Sequence, residues 1–322
     1  MTERLYILED ADPNVFSGVN QSNLALLSNI YPKVKIRMHK NVIKILGEAR
    51  ETEALLRLLE VIEAHCCKYN SLSEQDILNL KQGNDTLNRK NKAPDNLILY
   101  GLGGKAIAAR GENQKKLVEE FEKNGLCFAI GPAGSGKTFI AISLAVKALK
   151  NKQVRRIILS RPAVEAGEKL GFLPGEMKDK LDPYLQPLYD ALGEMIPGAK
   201  LRDYMDNGTI QIAPLAFMRG RTLNDAVIIL DEAQNTTAQQ MKMFLTRLGM
   251  GGKMIVTGDI TQIDLPRGVR SGLKDALSIL QDVPGIGLIE FNKKDIVRHP
   301  LVERIVDAYD NAMFTERDFN TK

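Results

Sequence analysis

The 322 residues are 44% hydrophobic and 26% charged, a globular composition that excludes a disordered chain and a disulfide-stapled mini-domain. Lysine and arginine number 44 against 40 acidic residues, and a net charge of +4 does not by itself mark a nucleic-acid binder. Residues 1–96 hold 13 residues of each sign, so the whole positive excess falls beyond them.

Glu3, Arg4, Glu9 and Asp10 stand where a signal peptide would need an apolar core. No run approaches the roughly 18 apolar residues of a membrane span, so a cytoplasmic setting is expected. Cys66, Cys67 and Cys127 form no C-x-x-C pair. His65, Cys66 and Cys67 follow Leu55, Leu58, Leu59 and Ile62 at helical spacing, which reads as a helix end with a half-buried thiol rather than a metal site.

Residues 1–67 form a small α/β domain in this reading, with short strands over 34–37 and 42–45 and a helix over 51–65. A helix followed by strand, strand and helix is the pattern of KH-like RNA-binding folds. Lys33, Lys35, Arg37 and Lys44 alternate with apolar residues and could present a basic face to RNA; a solvated sheet face is the plainer reading. No G-x-x-G loop occurs within this unit, so backbone clamping of nucleotides in the KH manner has no support. Residues 68–96 are polar and rich in Asn and read as a linker with at most one short helix near Ile77–Leu80. A hairpin is expected over 97–109, around Gly101-Leu102-Gly103-Gly104.

From residue 97 to 322 the pattern becomes that of one larger α/β domain. Strands are expected over 127–130, 156–160, 210–213, 226–230, 254–257 and 286–291, with amphipathic helices between them. Uninterrupted apolar runs such as Val227-Ile228-Ile229-Leu230 suit parallel strands buried on both faces.

Gly131-Pro132-Ala133-Gly134-Ser135-Gly136-Lys137-Thr138 satisfies G-x-x-x-x-G-K-[ST] between a predicted strand and an apolar helix over 138–149. Such a loop wraps its backbone N–H groups around phosphates at a helix N-terminus. Lys137 is placed to reach the β- and γ-phosphates, and the Thr138 hydroxyl to ligate Mg²⁺. Asp231 ends the run 227–230 and is expected, on a strand next to the P-loop, to hold the same ion. Glu232 emerges beside it as the candidate to polarise an attacking water. Thr257, Asp259 and Gln262 end another strand, with Gln262 the candidate γ-phosphate sensor. Arg161 is expected to end a strand beside the P-loop strand and to open a loop punctuated by Gly167, Gly171, Pro174 and Gly175. That loop either braces the pocket or meets nucleic acid or a neighbouring subunit.

Taken together, Gly131–Thr138, the Arg161–Gly175 block, Asp182–Asp190, Asp231-Glu232-Ala233-Gln234-Asn235, Thr257-Gly258-Asp259 with Gln262–Pro266, and Val297–Pro300 resemble the PhoH-like ATPase family. The likeness covers about 105–312, and the small N-terminal unit is similar to the KH-like extension of longer bacterial members. It implies a RecA-like P-loop core with a mainly parallel sheet, ATP and Mg²⁺ as cofactors, hydrolysis, and a role in RNA metabolism with a bacterial rRNA-maturing endoribonuclease as partner. A single RecA-like lobe also implies a homo-oligomeric ring, in which Arg298 or Arg267 of a neighbour completes the site. Gln114 resembles in position the glutamine with which helicases read adenine. A P-loop small-molecule kinase and an ATP-gated RNA scaffold remain the alternatives, with Glu232 arguing against the kinase.

Overall fold

The computed structural model describes residues 2–83, 94–162, 177–266, 268–297 and, beyond them, 301, 302, 304, 305 and 308; over 177–183 it describes the backbone alone. Arg267, Arg298, His299 and the block after Pro162 up to residue 176 lie outside the described residues.

The N-terminal part contains β1 (Thr2–Ile7), α1 (Pro13–Ser17), α2 (Ser22–Ile30), β2 (Lys35–His39), β3 (Val42–Gly47), α3 (Ala49–Tyr69) and α4 (Glu74–Lys81). Its sheet runs β1-β3-β2 with both pairings antiparallel. Ile43 and Ile45 face inward and are fully buried with Phe16, Leu27, Leu55, Leu59 and Ile62 in one apolar cluster. Ile77 and Leu80 of α4 belong to that cluster too, which is why a polar stretch after residue 67 opens with a helix. Strand β1 escapes the sequence reading because its central residues are largely exposed and little apolar patterning survives. The basic alternation lies on the outer face: Arg37 is paired opposite Lys44, and Lys44 is neutralised by Glu3 of β1 at 2.8 Å.

The larger part adds the hairpin β4 (Leu97–Tyr100) and β5 (Ala106–Ala108), then α5 (Glu112–Lys123), β6 (Leu126–Ile130), α6 (Lys137–Lys150) and β7 (Arg156–Arg161). There follow α7 (Met177–Gly193), α8 (Gly198–Asp206), β8 (Ile210–Pro214), β9 (Ala226–Leu230), α9 (Ala238–Leu245), β10 (Lys253–Gly258), α10 (Gly272–Leu280) and β11 (Ile286–Glu290). Six of these strands make one sheet in the order β11-β6-β10-β9-β7-β8, every neighbour parallel. Alternate residues of one strand feed opposite layers: Val227 and Ile229 join the cluster with α6, whereas Ile228 and Leu230 join the cluster with α9 and α10. That two-sided burial accounts for the unbroken apolar runs, and the helices cover both faces as in doubly wound folds.

The strand order corrects one expectation. β7, which ends at Arg161, is not beside the P-loop strand: it flanks β9 and stands three strands from β6. β10 lies between β6 and β9, and the strand leading to Asp231 still delivers that carboxylate to the P-loop, where Thr138 meets it. Local pattern specifies each strand but not its partner, since crossover connections let consecutive strands skip positions. No described helix is long and apolar enough to cross a membrane.

Candidate functional site

Every group of the site stands at the C-terminal ends of β6, β7, β9 and β10, the edge at which parallel sheets present ligands. After β6 the chain turns into α6 through three glycines with positive φ: Gly131, Gly134 and Gly136. At Gly131 the requirement is also spatial. A Cβ there would lie 2.3 Å from the carbonyl oxygen of Phe291, the residue after β11. Gly131 N–H donates to the Gly258 carbonyl at the end of β10, and Val297 N–H donates to the Gly134 carbonyl.

Lys137, the first residue of α6, points its ammonium back into this loop, donating to the Pro132 carbonyl at 2.8 Å and approaching Ser135 Oγ at 3.3 Å. Burial pushes its pKa down, opposed by the carboxylates of Asp259, Glu232 and Asp231. An ammonium held within a glycine-rich loop at a helix N-terminus is suited to a polyanion.

Thr138 donates its hydroxyl to Asp231 Oδ1 at 2.6 Å, and from the intervening strand Thr257 donates to the same oxygen at 2.7 Å. This is what the inserted β10 supplies: a second, buried hydroxyl that fixes the carboxylate from the neighbouring strand. Asp231 is itself buried. A carboxylate and a hydroxyl at this distance form a hard oxygen donor pair, the chemistry that Mg²⁺ selects.

Glu232 has φ 52° and ψ 39°, a left-handed backbone that a non-glycine residue adopts only where its surroundings hold it. Both carboxylate oxygens are tethered. Arg161 Nη2 lies 3.2 Å from Oε1, and Gln234 Nε2 donates to Oε2 at 2.6 Å. Gln234 also accepts from Asp259 N–H at 3.0 Å, and its own carbonyl accepts from Ser271. Asp259 in turn accepts from the backbone and hydroxyl of Thr261 through Oδ1, while its buried Oδ2 has no hydrogen-bond partner. An orphaned carboxylate oxygen beside the Lys137 ammonium fits a site built around further polar ligands.

Sequence reasoning named Asp231, Glu232, Thr257 and Asp259, and the structure brings all four together with Lys137 and Thr138. It passed over Gln234, although the residue stands two positions after Glu232. Arg161, which by sequence opens a loop of two possible purposes, holds Glu232 and lies 4.0 Å from Asp231 Oδ2. Gln262 sits on the exposed turn after β10, its N–H on the Asp259 carbonyl. Gln114 is buried and commits its amide to bracing the loop: Oε1 accepts from Arg110 N–H, and Nε2 donates to the Ser135 carbonyl. His65 and the cysteines form no metal cluster among the described residues, and all three thiols are free.

The sequence profile of the PhoH-like protein family matches residues 106–310, which include every side chain of this site. The chain belongs to the PhoH-like protein family. The PhoH-like protein of Bacillus subtilis is 45% identical over 317 residues, covering 96% of this chain and 99% of that one. The PhoH-like protein of Mycobacterium bovis is 59% identical over 213 residues, 66% of this chain and 60% of the other. Protein PhoH of Escherichia coli is 50% identical over 206 residues, 63% of this chain and 58% of its own length. The last two matches thus cover well over half, but not the whole, of those relatives. Membership and geometry agree on an NTPase-type P-loop protein.

Proposed function

We propose that this PhoH-like chain binds ATP with Mg²⁺ and hydrolyses it to ADP and phosphate. The observation that carries the reading is the convergence of Thr138 and Thr257 on Asp231 Oδ1, beside a Glu232 whose carboxylate is held at both oxygens. Thr138 and Asp231 would hold the metal ion, which supplies charge neutralisation at the phosphates when bound. Gly131–Thr138 cradle the triphosphate, and Lys137 answers its negative charge. Glu232 accepts the proton of the water that attacks the γ-phosphorus, and Arg161 and Gln234 hold that carboxylate in place. A carboxylate keeps lone pairs free beyond two tethers, so one remains to face the water. A small-molecule kinase has less need of a second carboxylate held at both oxygens, and for that reason hydrolysis is the stronger reading.

Work on RNA, with the β2–β3 face around Lys35 and Arg37 as contact, is part of this proposal. So are assembly into a ring and partnership with an rRNA-maturing endoribonuclease. Support for RNA is that Lys35 and Arg37 stand exposed on the outer face of β2; support for the ring is that the described residues hold one P-loop core.

Phosphate release by wild type and Glu232→Gln at saturating Mg–ATP tests the chemistry. Loss of turnover by a factor of about 10²–10⁴ with ATP binding retained is the expected result. Equal rates would remove Glu232 as the base.

A further inference from the structure

A cavity of about 410 Å³ opens between the small antiparallel unit and the P-loop core, walled by the ends of α3, α6 and α8 and by β4. It stands at the far end of the P-loop helix. Lys137 occupies the first turn of α6 and Lys150 its last, about 20 Å away at the usual helical rise. Asn70 ties the two parts together beside the cavity, donating from its side chain to the carbonyls of Tyr100 and Met195 at 3.0 Å each.

The wall carries five lysines and two aspartates. Both aspartates are committed. Asp12 caps α1, and Asp10 pairs with Lys152 at 3.1 Å while its carbonyl accepts from Lys200. Lys150 is left over: among the described residues its buried ammonium has no hydrogen-bond partner. Buried ammonium groups are ordinarily paired, and one that is not bears the full cost of its desolvation. Lys200 is close enough to add like-charge repulsion. Apolar walls from Ile98, Val146 and Ile196, with the ring of Tyr204 under Lys200 at 5.4 Å, complete a lining in which lysines outnumber carboxylates on an otherwise largely apolar surface. That combination and size are those of a small-molecule site. Lysine, a point charge on a flexible stem, suits a phosphate better than a planar carboxylate fork.

We propose that this cavity binds a small phosphorylated molecule of mononucleotide size, its phosphate taken by Lys150 and Lys200 and its ring laid against Tyr204 and Ile196. The site is separate from the P-loop and does not rest on hydrolysis there.

Calorimetric titration of AMP, inorganic phosphate and adenosine into the full chain carrying Lys137→Ala, which silences the P-loop, tests it without turnover. One molecule of AMP binds per chain, more tightly than phosphate or adenosine. Adding Lys150→Met or Lys200→Met weakens AMP at least tenfold, and Lys150→Arg recovers most of the loss. Thermal unfolding of each variant reports whether it is folded, and the two lysines give independent readings. No binding of AMP, or unchanged binding in both methionine variants, overturns the site. Adenosine binding as tightly as AMP overturns the phosphate contact, and phosphate binding as tightly as AMP overturns the mononucleotide assignment.

Discussion

The Arg161 guanidinium lies 3.2 Å from the Glu232 carboxylate, although the two residues end neighbouring strands that are 71 positions apart in the chain. Arg161 also donates to the Tyr184 carbonyl at 3.0 Å, so its fork is fixed on the protein side before it meets the carboxylate. Arg161 acts through Glu232 and is a positioning residue. Its replacement by Met leaves Glu232 with one tether, Gln234. The expected result is a fall in kcat of about tenfold or more with the dissociation constant for ATP changed much less, read by turnover and by equilibrium binding in parallel. Lysine does not rescue, because one ammonium cannot span Tyr184, Glu232 and Asp231 as the fork does.

Thr257→Val keeps the volume of a fully buried side chain and removes only the hydroxyl that fixes Asp231. Losing one hydrogen bond to a charged acceptor costs about 1.5–3 kcal/mol. The cost should show as a higher Mg²⁺ requirement in ATP binding, measured by titrating Mg²⁺ at fixed nucleotide. Thr138→Val removes a proposed ligand as well as a hydrogen bond and should be the more damaging of the two.

Gly131→Ala meets a carbonyl at 2.3 Å and a φ of 150° together. Neither the Phe291 backbone nor the loop can yield cheaply. A loss of stability of about 2 kcal/mol or more, and loss of nucleotide binding, is expected in chemical denaturation and ligand titration.

Lys150 makes stability depend on pH. Burial pushes its pKa from 10.5 down to about 8, so the folded chain releases this proton before the unfolded chain does. Below about pH 8 the ammonium is charged in both states and the folded state bears its desolvation in full. Between about 8 and 10.5 the unfolded state binds more protons, so this contribution to stability rises with pH; above 10.5 the penalty is gone. Lys150→Met should therefore be more stable than wild type at pH 7, by on the order of 1–3 kcal/mol. The difference should shrink toward pH 10, as followed by urea unfolding across that range.

Much of this architecture is legible in the residues themselves. The run Val227–Leu230 announces a strand buried on both faces, and Gly131–Thr138 announces the phosphate loop, because each depends on its own local chemistry. The placement of β10 between β6 and β9 is not legible, since strand neighbours are chosen by packing across the whole sheet. The clamp on Glu232 is hidden for the same reason: Arg161 reaches it only after that order is set. Gln234 was within reach, two residues from the carboxylate it holds, but a glutamine there carries no signature until its bonds to Glu232 and Asp259 are seen. The orphan Lys150 is likewise invisible in a sequence where lysine at a helix C-terminus is ordinary.

The inserted strand has a consequence for how the protein is made. Thr257 reaches Asp231 only if β10 is in register with both neighbours, Thr257 opposite Ala129 and Val256 opposite Leu230. A slip of one residue would turn the hydroxyl to the other face of the sheet. The pairs that fix this register join segments far apart in the chain, the contacts that close late during folding. Metal-dependent nucleotide binding should then arrive with the final assembly of the sheet, a natural clock for the maturation of the newly made chain.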